Sequence, residues 1–502
     1  KVDGFRFDLM GHHSKANMLA VRAALDALTL EEDGVDGQAI YVYGEGWNFG
    51  EVANDARFIQ ATQRNMAGTG IGTFSDRLRD GVRGGNPFSN VRDQGFINGL
   101  YYDPNGEDQG DALGSLLRSS DWLRIGLAGD LADYLLIDAD GNEVRADEVD
   151  YFGQPAGYTA DPQENITYVS AHDNETLFDA TALKAPTATS IEDRIRIQQL
   201  GNSLVMLGQG IPFIHAGQEF LRSKSMDRDS FNAGDWFNAI DWTGETTNWG
   251  NGLPGAEKNQ DNWGVMGPLL ADPRLAPQAE DVRNATERFA EWLRIRRSSA
   301  LLRLRTAQEV QTRVTFHNTG PTQVPGLIVM SVDDAPGDID LATARLVTLF
   351  NASDEAVSFP LAPLTDDVTY VLHPVQVASI DPVVREAMYD AGSQTFEVPP
   401  RTTAVFLSPR PIVEQIDVLL GTVNALEQED ALGRGPAALL RTTLSTAQSN
   451  VSSGELTFAD YQLRLVLRQV QRLVDEDRLN GEAGDLLLAG VRTVLESLPA
   501  SR

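Results

Sequence analysis

Strand-like and helix-like hydrophobic patterns alternate between Val2 and Leu301, the order expected of a βα fold built on a parallel sheet. VDGFRFD (Val2 to Asp8) alternates with a period of two. Val2, Gly4, Arg6 and Asp8 share one face; Asp3, Phe5 and Phe7 share the other, where the aromatics are expected to pack under helices. Ser14 to Leu28 has helical spacing, with Met18, Val21, Leu25 and Leu28 turned inward. IYVYGE (Ile40 to Glu45) is the next strand, GIGTFSD (Gly70 to Asp76) a weaker one and ITYVSAHD (Ile166 to Asp173) a strong one. Asp111 to Leu131, Ile191 to Leu207 and Asp281 to Arg297 read as helices, and GIPFIHAGQEF (Gly210 to Phe220) as an apolar strand running into a loop.

The texture changes near Leu301. RVTFHN (Arg313 to Asn318), LIVMSV (Leu327 to Val332), RLVTLFN (Arg345 to Asn351), YVLHPV (Tyr370 to Val375) and TTAVFL (Thr402 to Leu407) are short β-rich runs between turn residues, and they predict a small β-sandwich. Pro409 and Pro411 close it. Beyond them, Ile412, Ile416, Leu419, Leu420, Val423 and Leu426, then Leu463, Leu467, Val470 and Val474, recur at helical spacing and predict a small bundle of three or four helices. The expected divisions are residues 1–300, 301–411 and 412–502.

Composition narrows the partners. Lys and Arg number 41 against 72 Asp and Glu, a net charge of −31, which argues against nucleic acid and anionic membrane surfaces and suits a neutral ligand or an extracellular setting. No apolar run approaches the ~20 residues of a membrane-spanning helix, so no membrane insertion is expected. With no cysteine, disulfides and thiolate metal sites are excluded. The chain opens at Lys1 inside a strand pattern, so its natural start is expected elsewhere.

Three of the strands end in an acid: Asp8, Glu45 and Asp173. In parallel α/β folds functional residues gather beyond the strands' C-terminal ends, so the three are expected to converge on one mouth. Glycosidic cleavage by retention needs such a set: an ionised carboxylate to attack the anomeric carbon, a protonated carboxyl ~5–5.5 Å away to protonate the leaving oxygen, and further groups for the ring hydroxyls. Arg6 beside Asp8 favours its charged form, whereas Tyr41, Tyr43 and Trp47 give Glu45 the desolvated surroundings of a general acid. His172, next to Asp173, can donate to a sugar hydroxyl.

VDGFRFDLMGHH, YVYGEGWNFGEV and VSAHDNETLFD resemble three ordered signature regions of the α-amylase superfamily, glycoside hydrolase family 13. YGEGW, RGGNPF (Arg83 to Phe88) and HAGQEFLRSKSMDRDSFNAGDWFNAIDW (His215 to Trp242) are similar to the pullulanase and limit dextrinase branch, whose members are α-1,6 debranching enzymes. The resemblance spans Lys1 to Pro411. It implies Asp8 as nucleophile, Glu45 as acid/base and Asp173 as transition-state stabiliser, with Arg6 and His172 in support. It also implies a fold class: α/β, with a partial (β/α)8 TIM barrel of strands four to eight, a C-terminal β-sandwich and a small helical module. The family's signature on barrel strand three has no counterpart, and neither do the first three strands. A fragment is therefore expected, one that holds the chemical carboxylates yet is inactive alone as an alternative.

The expected function is retaining cleavage of α-1,6 branches in α-glucans such as pullulan, amylopectin or limit dextrin. The alternatives are an α-1,4 amylase or transglycosylase of the same fold and a non-catalytic glucan-binding protein. No organic cofactor is required; structural calcium follows from the resemblance alone, without ligands that can be named. Trp47 and Phe88 are candidate stacking residues near the acids, and Asn174, Asp227, Arg228 and Asp235 candidate hydroxyl ligands, each set against packing or bonding within its own loop. Trp236, Trp242, Trp249 and Trp263 either line a glucan cleft or pack the loop that carries them. His12 and His13 look like a metal pair, but adjacent side chains diverge and loop packing is expected.

Overall fold

Five parallel strands form the sheet that carries the chemistry, in the spatial order Gly4–Phe7, Tyr41–Gly44, Gly72–Phe74, Asn165–Thr167 and Ile211–Pro212. The structure is a computed structural model describing residues 2–363 and 369–499; Lys1, 364–368 and 500–502 lie outside the described residues. The sheet curls so that Phe74, Ile166 and Tyr168 form a buried apolar layer, with Tyr41, Tyr43, Trp47 and Phe213 half-buried around it. Phe74 meets Tyr168 and Phe213 edge-on at 4.9 and 5.1 Å, the favoured geometry for aromatic quadrupoles.

Helices follow the strands from well-defined starts. Ser14, Ser75, Asp111, Thr176 and Ser190 each accept a backbone N–H from the first turn of Lys15–Asp26, Asp76–Arg83, Ala112–Leu127, Leu177–Lys184 and Ile191–Leu207 respectively. The helix predicted at Ile191 to Leu207 has those bounds. The strands beginning near Ile166 and Gly210 are much shorter than their apolar runs suggest: the ladder stops at Thr167 and Pro212, with a last bond from the Phe213 N–H to the Thr167 carbonyl. Phe5 also departs from expectation. It is exposed, whereas Phe7 packs near Met10, Met18 and Val42. Two hairpins between the third and fourth strands, Leu135–Ile137 with Glu143–Arg145 and Asp150–Tyr151 with Gln154–Pro155, had no clear apolar signature.

The β-rich region forms a five-stranded antiparallel sheet facing a three-stranded one. Alternation along Leu327–Asp333 shows how it is fixed. Leu327 and Val329 point to Phe396 and Phe406 between the two sheets, while Ile328, Met330 and Val332 join Leu204, Leu207, Trp292 and Ile295 in the core shared with the βα region. Arg196 and Arg288 reach Asp381 across this seam, at 2.8 and 3.5 Å. The YVLHPV run is not one strand: after Val371–Leu372 the chain turns into the short helix Pro374–Val377, because proline ends the ladder and suits a helix's first turn.

Four helices, Ile412–Gln428, Arg434–Ser452, Leu456–Asp475 and Gly481–Ser497, close into a bundle around Ile416, Val423, Leu440, Leu463, Val470 and Val491. Leu341 of the sandwich packs against it.

One carboxyl lies deep in the βα core. Asp130, in the turn after Ala112–Leu127, is fully buried, and burial pushes it up to about 7. A raised folded value means stability that is full below the unfolded value of 3.8 and is lost as pH rises through about 7. Relative to an Asp130→Asn variant, the wild type is expected to lose on the order of 2–4 kcal/mol between pH 4 and pH 8 in urea unfolding. Parallel pH profiles for the two proteins would contradict this.

Candidate active site

The first two strands run side by side, with Phe7 paired to Gly44, so the residues that follow, Asp8 and Glu45, emerge as neighbours at the same edge. Gly44 is required there: a Cβ would stand 2.5 Å from the Phe7 carbonyl oxygen. Arg6, on the inner face of its strand, reaches both acids, with one terminal nitrogen 2.9 Å from Asp8 Oδ1 and the other 2.6 Å from Glu45 Oε1. Leu9 turns the chain away at φ 51, an uncommon conformation for leucine, and its N–H donates to Glu45 Oε2 at 2.8 Å. Both Glu45 oxygens are thus held, and its side chain is 8% exposed against 55% for Asp8. The sequence reading gave Arg6 to Asp8 alone and aromatic surroundings to Glu45; the guanidinium is in fact shared, and is closer to Glu45.

The third acid comes from the segment that follows Asn165–Thr167. His172 Nε2 lies 3.3 Å from Asp8 Oδ1 and 3.5 Å from Asp173 Oδ1, so one imidazole joins the two carboxylates. Asp173, 66% exposed, stands at the rim. The segment is tied down from behind: buried Lys224 donates from Nζ to the His172 carbonyl at 2.9 Å, and Asp179 accepts from the Lys224 N–H at 2.7 Å. One ligand atom from each of Asp8, Glu45 and His172 falls within 4.8 Å of the others. The Arg6 cation already sits between the two carboxylates, which works against a second cation there.

Sequence reasoning missed two groups. Glu175 is buried beside Arg83 at 3.1 Å and Arg228 at 3.8 Å; burial works to raise its carboxyl, but Arg83 and Arg228 more than offset it and hold it below the usual carboxylate range. Its signal was the acid just after Asn174 together with the arginine that opens RGGNPF. His215 is the other. Its Nε2 accepts from Arg222 at 3.1 Å, so Nδ1 carries the proton and donates to Ser170 Oγ at 3.1 Å.

Other candidates divide. Trp47 is half-buried near the acids, within 6.0 Å of the Arg79 guanidinium. Asn174 sits at φ 61 and lines a small pocket with Arg228, whose guanidinium also donates to the Pro87 carbonyl. Phe88 projects into solvent, 95% exposed. Asp227 is buried and occupied within its loop by Asn259 and the Asp229 N–H, while Asp235 is exposed at the start of the short helix Asp235–Asn238. Among the tryptophans, Trp249 packs on Phe178 and Trp263 bonds the Pro254 carbonyl, but Trp236 and Trp242 expose their rings. His12 stacks on Phe49 and His13 meets the edge of Phe7, so the adjacent pair serves packing.

Comparison with known proteins bears on this geometry. The family described as alpha-1,6-glucosidases, pullulanase-type, C-terminal, matches residues 244–409. The chain is 49% identical over 420 residues to pullulanase 1, chloroplastic, of Arabidopsis thaliana, covering 82% of this chain and 43% of that one. Against a pullulanase of Klebsiella aerogenes it is 42% identical over 343 residues, 66% of this chain and 30% of that protein. The crystal structure of the maltotriose complex of PulA from Klebsiella pneumoniae superposes with a TM-score of 0.75 at 38% identity, covering 82% of this chain and 43% of that one. The chain therefore spans less than half the length of these pullulanases. The superposition supports a pullulanase-like α/β architecture with a curled, parallel half-barrel sheet.

Burial, with Arg222 adding to it, pushes His215 down to about 3. Its imidazole is therefore expected to stay neutral, with the proton on Nδ1, throughout the range where histidines ordinarily titrate. Imidazole NMR checks this; a midpoint near the ordinary value would contradict the arrangement.

Proposed function

We propose that the protein is a retaining glycoside hydrolase that cleaves α-1,6 branch linkages in α-glucans such as pullulan, amylopectin or limit dextrin. The observation that carries the reading is the pairing of Asp8 and Glu45: adjacent strand ends, oxygens within 4.8 Å of each other and one shared guanidinium. That spacing suits a nucleophile and an acid/base acting in turn; an inverting pair stands ~6.5–9.5 Å apart to admit a water. The names of the relatives favour the α-1,6 linkage. In this reading the five parallel strands are the fourth to eighth of a (β/α)8 barrel, residues 301–411 are the β-sandwich, and residues 412–502 are an accessory helical module.

The chemistry divides between the two acids. Asp8 attacks the anomeric carbon as Glu45 gives its proton to the departing glycosidic oxygen, leaving a glycosyl ester on Asp8. Water then attacks the same carbon, Glu45 takes its proton, and Asp8 is released as carboxylate. Each Glu45 oxygen has two lone pairs, so the bonds from Arg6 and the Leu9 N–H leave room for that proton. Asp173 and His172 face the ring hydroxyls and the charge that develops on the ring. No organic cofactor enters the cycle.

In the protein carrying this chain, Asp8→Asn is expected to cut turnover of pullulan by about a thousandfold or more while leaving thermal unfolding nearly unchanged, because the side chain is more than half exposed. Wild-type turnover in that variant would remove Asp8 from the mechanism. Glu45→Gln is expected to abolish the limb of the pH–rate profile that reports the general acid, and an unchanged bell shape would contradict its role. Product analysis separates the linkages: maltotriose from pullulan is expected, and cleavage within the maltotriose units would favour an α-1,4 enzyme.

A further inference from the structure

One cleft lies apart from the three acids, between the helix Asp76–Arg83, the helix Ala112–Leu127 and the two small hairpins. Its volume is about 670 Å³, within the range of ligand sites. One wall is aromatic. Trp122 bonds the Asp150 carbonyl through Nε1 at 2.9 Å, so its polar atom is already satisfied. Phe152 leans on it with ring centroids 5.3 Å apart.

Phe152 is out of place by ordinary turn chemistry. It occupies the tip of the hairpin Asp150–Tyr151 and Gln154–Pro155 at φ 49, followed by Gly153 at φ 80, where Asn-Gly is the usual pair. A bulky residue there costs backbone strain, and its ring is 57% exposed, so little burial offsets the cost. The other walls are rich in acceptors, among them Asp108, Asp138, Asp140 and Glu148; among the described residues, Arg118 is the one cation lining the cleft. Anionic ligands are disfavoured. A neutral, polyhydroxylated ligand with an apolar face fits, since rings stack on aromatics and hydroxyls donate to carboxylates.

The cleft borders a smaller pocket that Glu175, next to the Asp173 segment, also lines. Asp80, Gly84, Gly85 and Ser89 line both this cleft and the small pocket that Asn174 and Arg228 also line. We infer that this cleft is a second α-glucan site, in which Phe152 and Trp122 hold a remote stretch of the polymer whose linkage lies at Asp8 and Glu45. The inference rests on the carbohydrate reading above and adds a site to it.

The test is native affinity electrophoresis of the whole chain in gels with and without pullulan, in an Asp8→Asn background so that nothing is cut. Phe152→Asn removes the ring while placing a residue that favours this turn position, so folding is retained; Phe152→Tyr keeps the ring. Loss of one stacking ring is expected to weaken pullulan binding about fivefold, and the Tyr variant to bind like the parent. Equal retardation of the parent and the Phe152→Asn protein overturns the second site and leaves the hydrolase reading standing. A parent that pullulan does not retard at all overturns both. Retardation that depends on added calcium and ignores Phe152 assigns the acid-rich wall to a cation and overturns the glucan site.

Discussion

The arrangement of the site depends on a single guanidinium. Arg6 stands on the inner face of the first strand and bonds Asp8 on its own chain segment and Glu45 on the next strand. Two carboxylates this close repel one another unless a cation or proton intervenes. Arg6 supplies the cation, and its rigid, forked donors fix the separation of the acids. A lysine would give one mobile charge in its place. The two parallel strands supply the rest of the constraint, since their register brings Asp8 and Glu45 out at the same level.

Around that pair the molecule grades from buried to exposed. Glu45 is enclosed, Asp8 half open, and Asp173 at the rim, joined to Asp8 through His172. The segment that carries His172 and Asp173 is held from behind by Lys224, Asp179 and His215. Loops that bear function gain precision from such backing. The sandwich contributes further off: one face of its larger sheet completes a core with the helices Ile191–Leu207 and Ala279–Ser298 of the βα region.

The sequence was most legible where one physical signal dominated. Ile191–Leu207 was readable to the residue because Ser190 caps it and glycine follows. The three acids were readable because each ends an apolar run. Ladder lengths were not: ITYVSAHD has strand composition throughout, but neighbouring chain pairs with it only through Thr167, and pairing is a tertiary property. The sharing of Arg6 was hidden for the same reason, because Glu45 is 39 residues away in sequence. The surroundings of Asp227 and Phe88 were likewise not legible from their motifs. Asp227 Oδ1 accepts from Asn259 and from the Asp229 N–H, and Phe88 stands 95% exposed, settings that their motifs did not reveal. Glu175 and His215 carried only weak local signals, because their roles come from buried partners contributed by distant segments.

The covalent step offers the most direct measurement. The protein carrying this chain is incubated with a fluorinated, activated maltosyl donor, which forms a glycosyl–enzyme ester but hydrolyses it slowly, and is then digested for peptide mass spectrometry. One glycosyl unit on the Asp8 carboxylate is predicted, and none on Glu45 or Asp173. An adduct on another side chain, or hydrolysis of the donor with inversion at the anomeric carbon, would contradict the paired roles of Asp8 and Glu45.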